Sequence, residues 1–90
     1  MRFLEIGGEH FGTAKLAQLT ADGLNGLGLN SFQSIDINIQ TNQVFIGFTK
    51  LEDATCARAI AGTHERSKSK RFQSNNIQMF ILNLFGALNS

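Results

Sequence analysis

The stretch Ser34-Ile-Asp-Ile-Asn-Ile-Gln-Thr-Asn-Gln-Val-Phe-Ile-Gly-Phe-Thr49 decides how this chain is read. Ile35, Ile37 and Ile39 alternate with Asp36, Asn38 and Gln40, the two-residue period of a strand with one buried face. After Thr41-Asn42, Val44, Ile46 and Phe48 share one parity. Taking Thr41-Asn42 as a two-residue turn sets Ile39 opposite Val44, Ile37 opposite Ile46 and Ile35 opposite Phe48. A slip of one residue would turn all of these side chains to water, so the buried face is strongly specified. Asn42 suits the turn because it tolerates the left-handed conformation.

Upstream, Arg2–Ile6 reads as a strand that Gly7-Gly8 ends. Gly12-Thr13 reads as a helix start with Thr13 as N-cap, followed by Leu16, Leu19 and Leu24 at helical spacing. Gly23, Gly26 and Gly28 end that helix, although the alternation Lys15–Leu19 also admits a strand. Downstream, Thr49-Lys50-Leu51-Glu52 has the form of a capping box, which starts a second helix at once. Ala54, Ala57, Ile60 and Ala61 form its apolar arc, with Cys56 at the margin, and Gly62 stops it. Thr63–Asn76 is polar and basic, and reads as a helix extension giving way to a loop.

The segment Ile77–Leu88 supports two patterns. Ile77, Met79 and Ile81 alternate as in a strand, while Ile77, Phe80, Ile81, Leu84, Phe85 and Leu88 form a helical stripe. Topology favours a strand over Ile77–Leu82. The order strand, helix, strand, strand, helix, strand is then the ferredoxin-like βαββαβ arrangement, an α+β sandwich with an antiparallel sheet and two helices on one face. Residues 1–90 are expected to form a single domain.

The chain has 90 residues, 42% hydrophobic and 17% charged, a folded rather than disordered composition. A domain of this size buries roughly 60–65% of its unfolded surface, so self-association would add useful stability. Arg66, Lys68, Lys70 and Arg71, less Glu65, leave +3 in one short segment of a chain whose net charge is +1. The single cysteine, Cys56, forms no intramolecular disulfide and points to a reducing compartment. No apolar run approaches the ~18 residues of a membrane span. Glu5 interrupts the N-terminal apolar run too soon for a secretory signal. A cytoplasmic setting is the expectation.

Strand parity places Phe45 on the face away from the helices, and Phe3 likewise if Leu4 and Ile6 point inward. Phe80 is expected to join them. In a ferredoxin-like sheet the first and third strands are neighbours, so Phe3 and Phe45 would lie side by side. An exposed aromatic pair can stack unpaired bases, and Arg66, Lys68, Lys70 and Arg71 can hold phosphates. Thr41–Phe48 followed by Leu51-Glu52-Asp53-Ala54 resembles the third strand and second-helix start of an RNA-recognition-motif domain, and Arg2–Ile6 is similar in outline to that family's first-strand motif. The resemblance covers about a quarter of the chain. It implies single-stranded RNA binding with Phe3 and Phe45 as stacking positions. The family's basic-glycine start is replaced here by Thr41-Asn42, and its other stacking aromatic falls on Gln43.

Other motifs carry less. Gly7–Thr13 lies between a strand and a helix, as a phosphate-cradling loop would, but it lacks the lysine of a P-loop and reads as a flexible turn. His10, His64 and Cys56 have no metal-ligand spacing, so no metal or cofactor is expected. Cys56 is expected to be buried as a packing residue. The sequence therefore points to a small non-enzymatic binding module, an adaptor or inhibitor of a larger assembly of viral or bacterial kind. It would act through its sheet face and edge on a protein partner or as a homodimer. The surface would centre on Phe3, Phe45 and Phe80, with Arg66, Lys68, Lys70 and Arg71 steering the encounter. Single-stranded RNA is the alternative partner.

Overall fold

A computed structural model describes residues 2–63 and 65–90, so Met1 and His64 lie outside the described residues. The chain is α+β, with strands β1 (Leu4–Ile6), β2 (Glu9–Phe11), β3 (Phe32–Asn38), β4 (Gln43–Phe48) and β5 (Arg71–Ser74) and helices α1 (Thr13–Gly26), α2 (Leu51–Ile60) and α3 (Ile77–Leu88). The strands form two antiparallel sheets, a β1-β2 hairpin and a β3-β4-β5 meander. The single sheet of a ferredoxin-like order is thus split, and β1 is not a neighbour of β4.

The central hairpin forms with the expected faces and a different register. Ile37 pairs with Val44 and Ile35 with Ile46, and Phe32 takes the place opposite Phe48 after a bulge at Gln33. The offset from the expected pairing is two residues, which preserves side-chain parity. Val44, Ile46 and Phe48 are therefore buried, while Phe45 is exposed. The turn lengthens to Ile39–Asn42 because a two-residue type I′ turn would require positive φ at β-branched Thr41. Within the turn, Asn42 alone takes positive φ, at 59°. The turn is closed by the Asn42 amide on the Ile39 carbonyl at 3.3 Å and the Thr41 amide on Asn38 Oδ1 at 3.3 Å.

Two short strands were not expected. Gly7 and Gly8, both at positive φ, make the tight turn that sends β2 back along β1, pairing Ile6 with Glu9. The Gly7–Thr13 stretch is accordingly a turn, a strand and a helix start rather than an open loop. β5 lies inside the polar segment and pairs Phe72 with Ile46, and the Phe48 amide extends the ladder to the Lys70 carbonyl at 2.8 Å.

The helices cover one face of the meander. In α1, Leu16, Thr20, Gly23 and Leu24 are buried. No side chain caps its start, so Gly12, not Thr13, is the N-cap. The helix closes with the Leu29 amide on the Leu24 carbonyl and the Gly28 amide on the Asn25 carbonyl, the paired bonds of a Schellman stop. α2 ends the same way at Gly62, as expected, with the Thr63 amide on the Arg58 carbonyl. The capping box at Thr49 does not form: Lys50 is the N-cap, without a side-chain bond. The Thr49 and Lys50 amides are drawn instead to the Ser31 carbonyl and hydroxyl, while the Ser31 amide donates to Asp53 Oδ2 at 3.1 Å.

The strand expected over Ile77–Leu82 is replaced by α3. Asn76 caps it by accepting the Met79 amide at 3.1 Å, and the stripe Ile77, Phe80, Ile81 and Leu84 is buried. Twelve helical residues satisfy their backbone groups locally, which a sheet edge position would leave half unpaired. The Ile77 amide is also held by the Asn42 carbonyl and Oδ1, each at 3.1 Å. Among the described residues no helix is long and apolar enough to cross a membrane.

α1 and α3 approach through Gly23. A Cβ added there would stand 3.2 Å from Cβ and Cδ1 of fully buried Leu84. Gly86 in α3 has open space around it. Gly23→Ala is expected to destabilise the fold by about 1 kcal/mol, because crowding outweighs the gain in helix propensity. Gly86→Ala is expected to stabilise it by up to about 1 kcal/mol. Urea denaturation of both variants checks the opposite signs.

Candidate functional site

The outer face of the β3-β4-β5 meander is the sheet face that the helices leave open. Phe45 stands there in the middle strand, 38% exposed, flanked across the ladders by Asp36 and Gln73. Segment 65–69 leads toward β5. With the outer sheet face it walls a cleft of about 580 Å³, whose lining includes Asp36, Phe45, Arg58, Glu65, Ser69 and Arg71.

The structure separates the three phenylalanines expected to act together. Phe3 is 49% exposed but precedes the small hairpin, with its ring edge beside Gly12. It is not beside Phe45 in one sheet. Phe80 is 1% exposed and packs its ring on Phe72 with centroids 4.8 Å apart. That stripe position of α3 faces the core, which corrects its assignment to the binding surface. α3 exposes Met79 and Leu82 instead, an apolar spot that reading this segment as a strand conceals.

Arg66, Lys68, Lys70 and Arg71 are all exposed, and Arg71 opens β5. The intervening serines give this run a defined path: Ser67 Oγ accepts the Ser69 amide and Ser69 Oγ accepts the Arg71 amide, each at 3.1 Å. Such side-chain-to-backbone bonds fold a segment without helix or ladder.

Arg58 anchors the same segment from behind. It is 5% exposed, and its Nη2 donates to the carbonyls of Ser69 and Arg71, the latter at 2.9 Å. Its Nη1 is buried without a hydrogen-bond partner among the described residues. The other buried polar side chains are served: Thr20 donates to the Leu16 carbonyl at 2.8 Å and Asp53 accepts from Ser31. Arg58 was not singled out in the sequence, yet the signal was there. It follows Ala54 and Ala57 at the spacing that α2 buries, where an arginine must find partners.

Cys56 lies on the other side of α2 and is exposed, not buried as expected, because residues 53, 54, 57 and 58 turn inward. His10 is exposed in β2, and no cluster of metal-ligating side chains occurs among the described residues.

Phe80→Ala is expected to cost about 3–5 kcal/mol, as for a buried aromatic, and Phe45→Ala under about 1 kcal/mol. Thermal denaturation of the two variants measures the difference. Cys56 is expected to react fully with a thiol reagent in the native state, at a rate close to that of the denatured chain. Compared with protein-family models, with curated proteins and with solved structures, the chain matches none.

Proposed function

We propose that this chain is a non-enzymatic binding module, an adaptor or inhibitor that docks on protein through the outer face of the β3-β4-β5 meander, in the first instance on a second copy of itself. The observation that carries this reading is the position of Phe45. It is an exposed ring in the central strand, on a sheet face that the helices leave open and beside a cleft walled by the basic segment. A rigid aromatic anchor in a polar surround is the usual centre of a protein interface. Arg66, Lys68, Lys70 and Arg71 supply the positive field that speeds encounter with an acidic surface. RNA binding drew on a Phe3–Phe45 pair, and the split sheet leaves Phe45 alone to support it.

Size-exclusion chromatography with light scattering, with and without a single-stranded oligonucleotide, tests the proposal. The wild type is expected to rise above the mass of one chain with concentration, and Phe45→Ala to remain a monomer. A wild type that stays monomeric at every concentration overturns self-association. Oligonucleotide retention that Phe45→Ala abolishes transfers the face to nucleic acid.

A further inference from the structure

We propose that the cleft beside Phe45 is a carboxylate socket, in which Arg58 receives an acidic group of the polypeptide lying on the outer face. This rests on that face being the docking surface. Arg58 is 5% exposed, lines the cleft, and has a buried Nη1 with no acceptor among the described residues. The acceptors it does have, the carbonyls of Ser69 and Arg71, are uncharged. A guanidinium in that state gains strongly from an anionic acceptor, because charge-assisted bonds are the strong ones and an unmet buried donor is costly.

The charge of the cleft selects among anions. Its lining holds two arginines, Arg58 and Arg71, and two carboxylates, Asp36 and Glu65. A walled space with balanced charge suits a single negative charge better than a phosphate dianion, which the two carboxylates repel. Nη2 gives its two N–H groups to carbonyls, which leaves Nη1 to donate to one carboxylate oxygen. The hydroxyls of Ser34, Thr63, Ser67 and Ser69 and the ring of Phe45 complete walls of mixed character, suited to a side chain with its flanking peptide groups. Nη1 is covered in the free chain, so the acidic group reaches it only as segment 65–69, which forms no helix or strand, gives way. Arg58 holds the end of this segment, so occupancy registers in the backbone of residues 67–71.

NMR titration of the full chain tests this with an acetylated, amidated Ala-Glu-Ala peptide. Its amidated Ala-Gln-Ala counterpart is the control, and Ala-Gln-Ala with a free C-terminus asks whether a terminal carboxylate serves as well. The expected result is a saturable, millimolar shift of the Arg58 side-chain N–H and of the amides of residues 67–71. Either carboxylate peptide should produce it, and the fully amidated glutamine peptide should not. Arg58→Lys keeps the charge but lacks a second nitrogen to hold the Ser69 and Arg71 carbonyls while another meets the anion, and should weaken the shift roughly tenfold. If that variant does not fold, the glutamate–glutamine contrast in the wild type decides alone. Shifts confined to Arg66, Lys68 and Lys70 overturn the proposal. So does inorganic phosphate acting on Arg58 at a tenth of the peptide concentration. A response that emerges only in Glu65→Gln overturns it too, since the socket would then belong to the chain's own carboxylate. The peptides report on Arg58 directly, so a silent titration overturns the socket, while the mass measurement judges the sheet face separately.

Discussion

The pairing of Ile35 with Ile46 and Ile37 with Val44 is the constraint on which the other elements hang. It fixes which side of the meander is apolar, and therefore where the helices go. β4 is the shared strand: its inner side chains, Val44, Ile46 and Phe48, are each at most 4% exposed. On its far side β5 joins through Phe72, whose ring receives Phe80 from α3. Both ends of the hairpin are also tied to helices. At the turn, Asn42 accepts the first amide of α3. At the open end, Ser31 and Asp53 bond across the start of α2. A register in which the apolar side chains faced outward would lose the core and both ties together.

How much of this was legible follows from what each signal measures. Alternation reports parity, and parity was right: Phe45 is out and its neighbours are in. Alternation does not see an even-numbered offset, so the two-residue change in register lay beyond it; only the reluctance of Thr41 to take positive φ bore on that. α1 and the glycine stop of α2 were readable because spacing and punctuation agreed. β2 and β5 have three and four residues, too few to display a period, and β5 buries one hydrophobic side chain, Phe72, in a polar run. For α3 both periods were present in the sequence. The local evidence that separates them is Asn76, a strong helix-capping residue standing immediately before the stripe. Taking that segment as a strand also misplaced Phe80, since position in a helix, not alternation, determines where it points.

The site was legible in part. Phe45 and the basic run could be read from parity and charge. Arg58 sits at a spacing that α2 buries, yet an arginine in a short helix is ordinarily at the surface, so the sequence reading passed over it. Its importance comes from the coincidence of two elements distant in sequence, the inward side of α2 and the segment leading into β5. The three buried polar side chains among the described residues show the range of outcomes. Thr20 is satisfied within its own helix, Asp53 by a partner 22 residues away, and Arg58 only in part. Partial satisfaction of a charged group in a small domain is expensive, which is why it draws attention to function rather than to stability.

The bond between Asn42 and Ile77 spans 35 residues, and this separation bears on the order of folding. The β3–β4 ribbon closes through a four-residue turn, a microsecond event for a chain of this kind. α1 is likewise local. Seating α3 in full needs the ribbon, because the acceptor for its leading amide is the turn itself. Until α3 is seated, the half-formed core remains open on the side that Phe80 and Leu84 cover. A chain lacking that contact would present this apolar surface to its neighbours, the kind of exposure that makes partly folded species prone to aggregate.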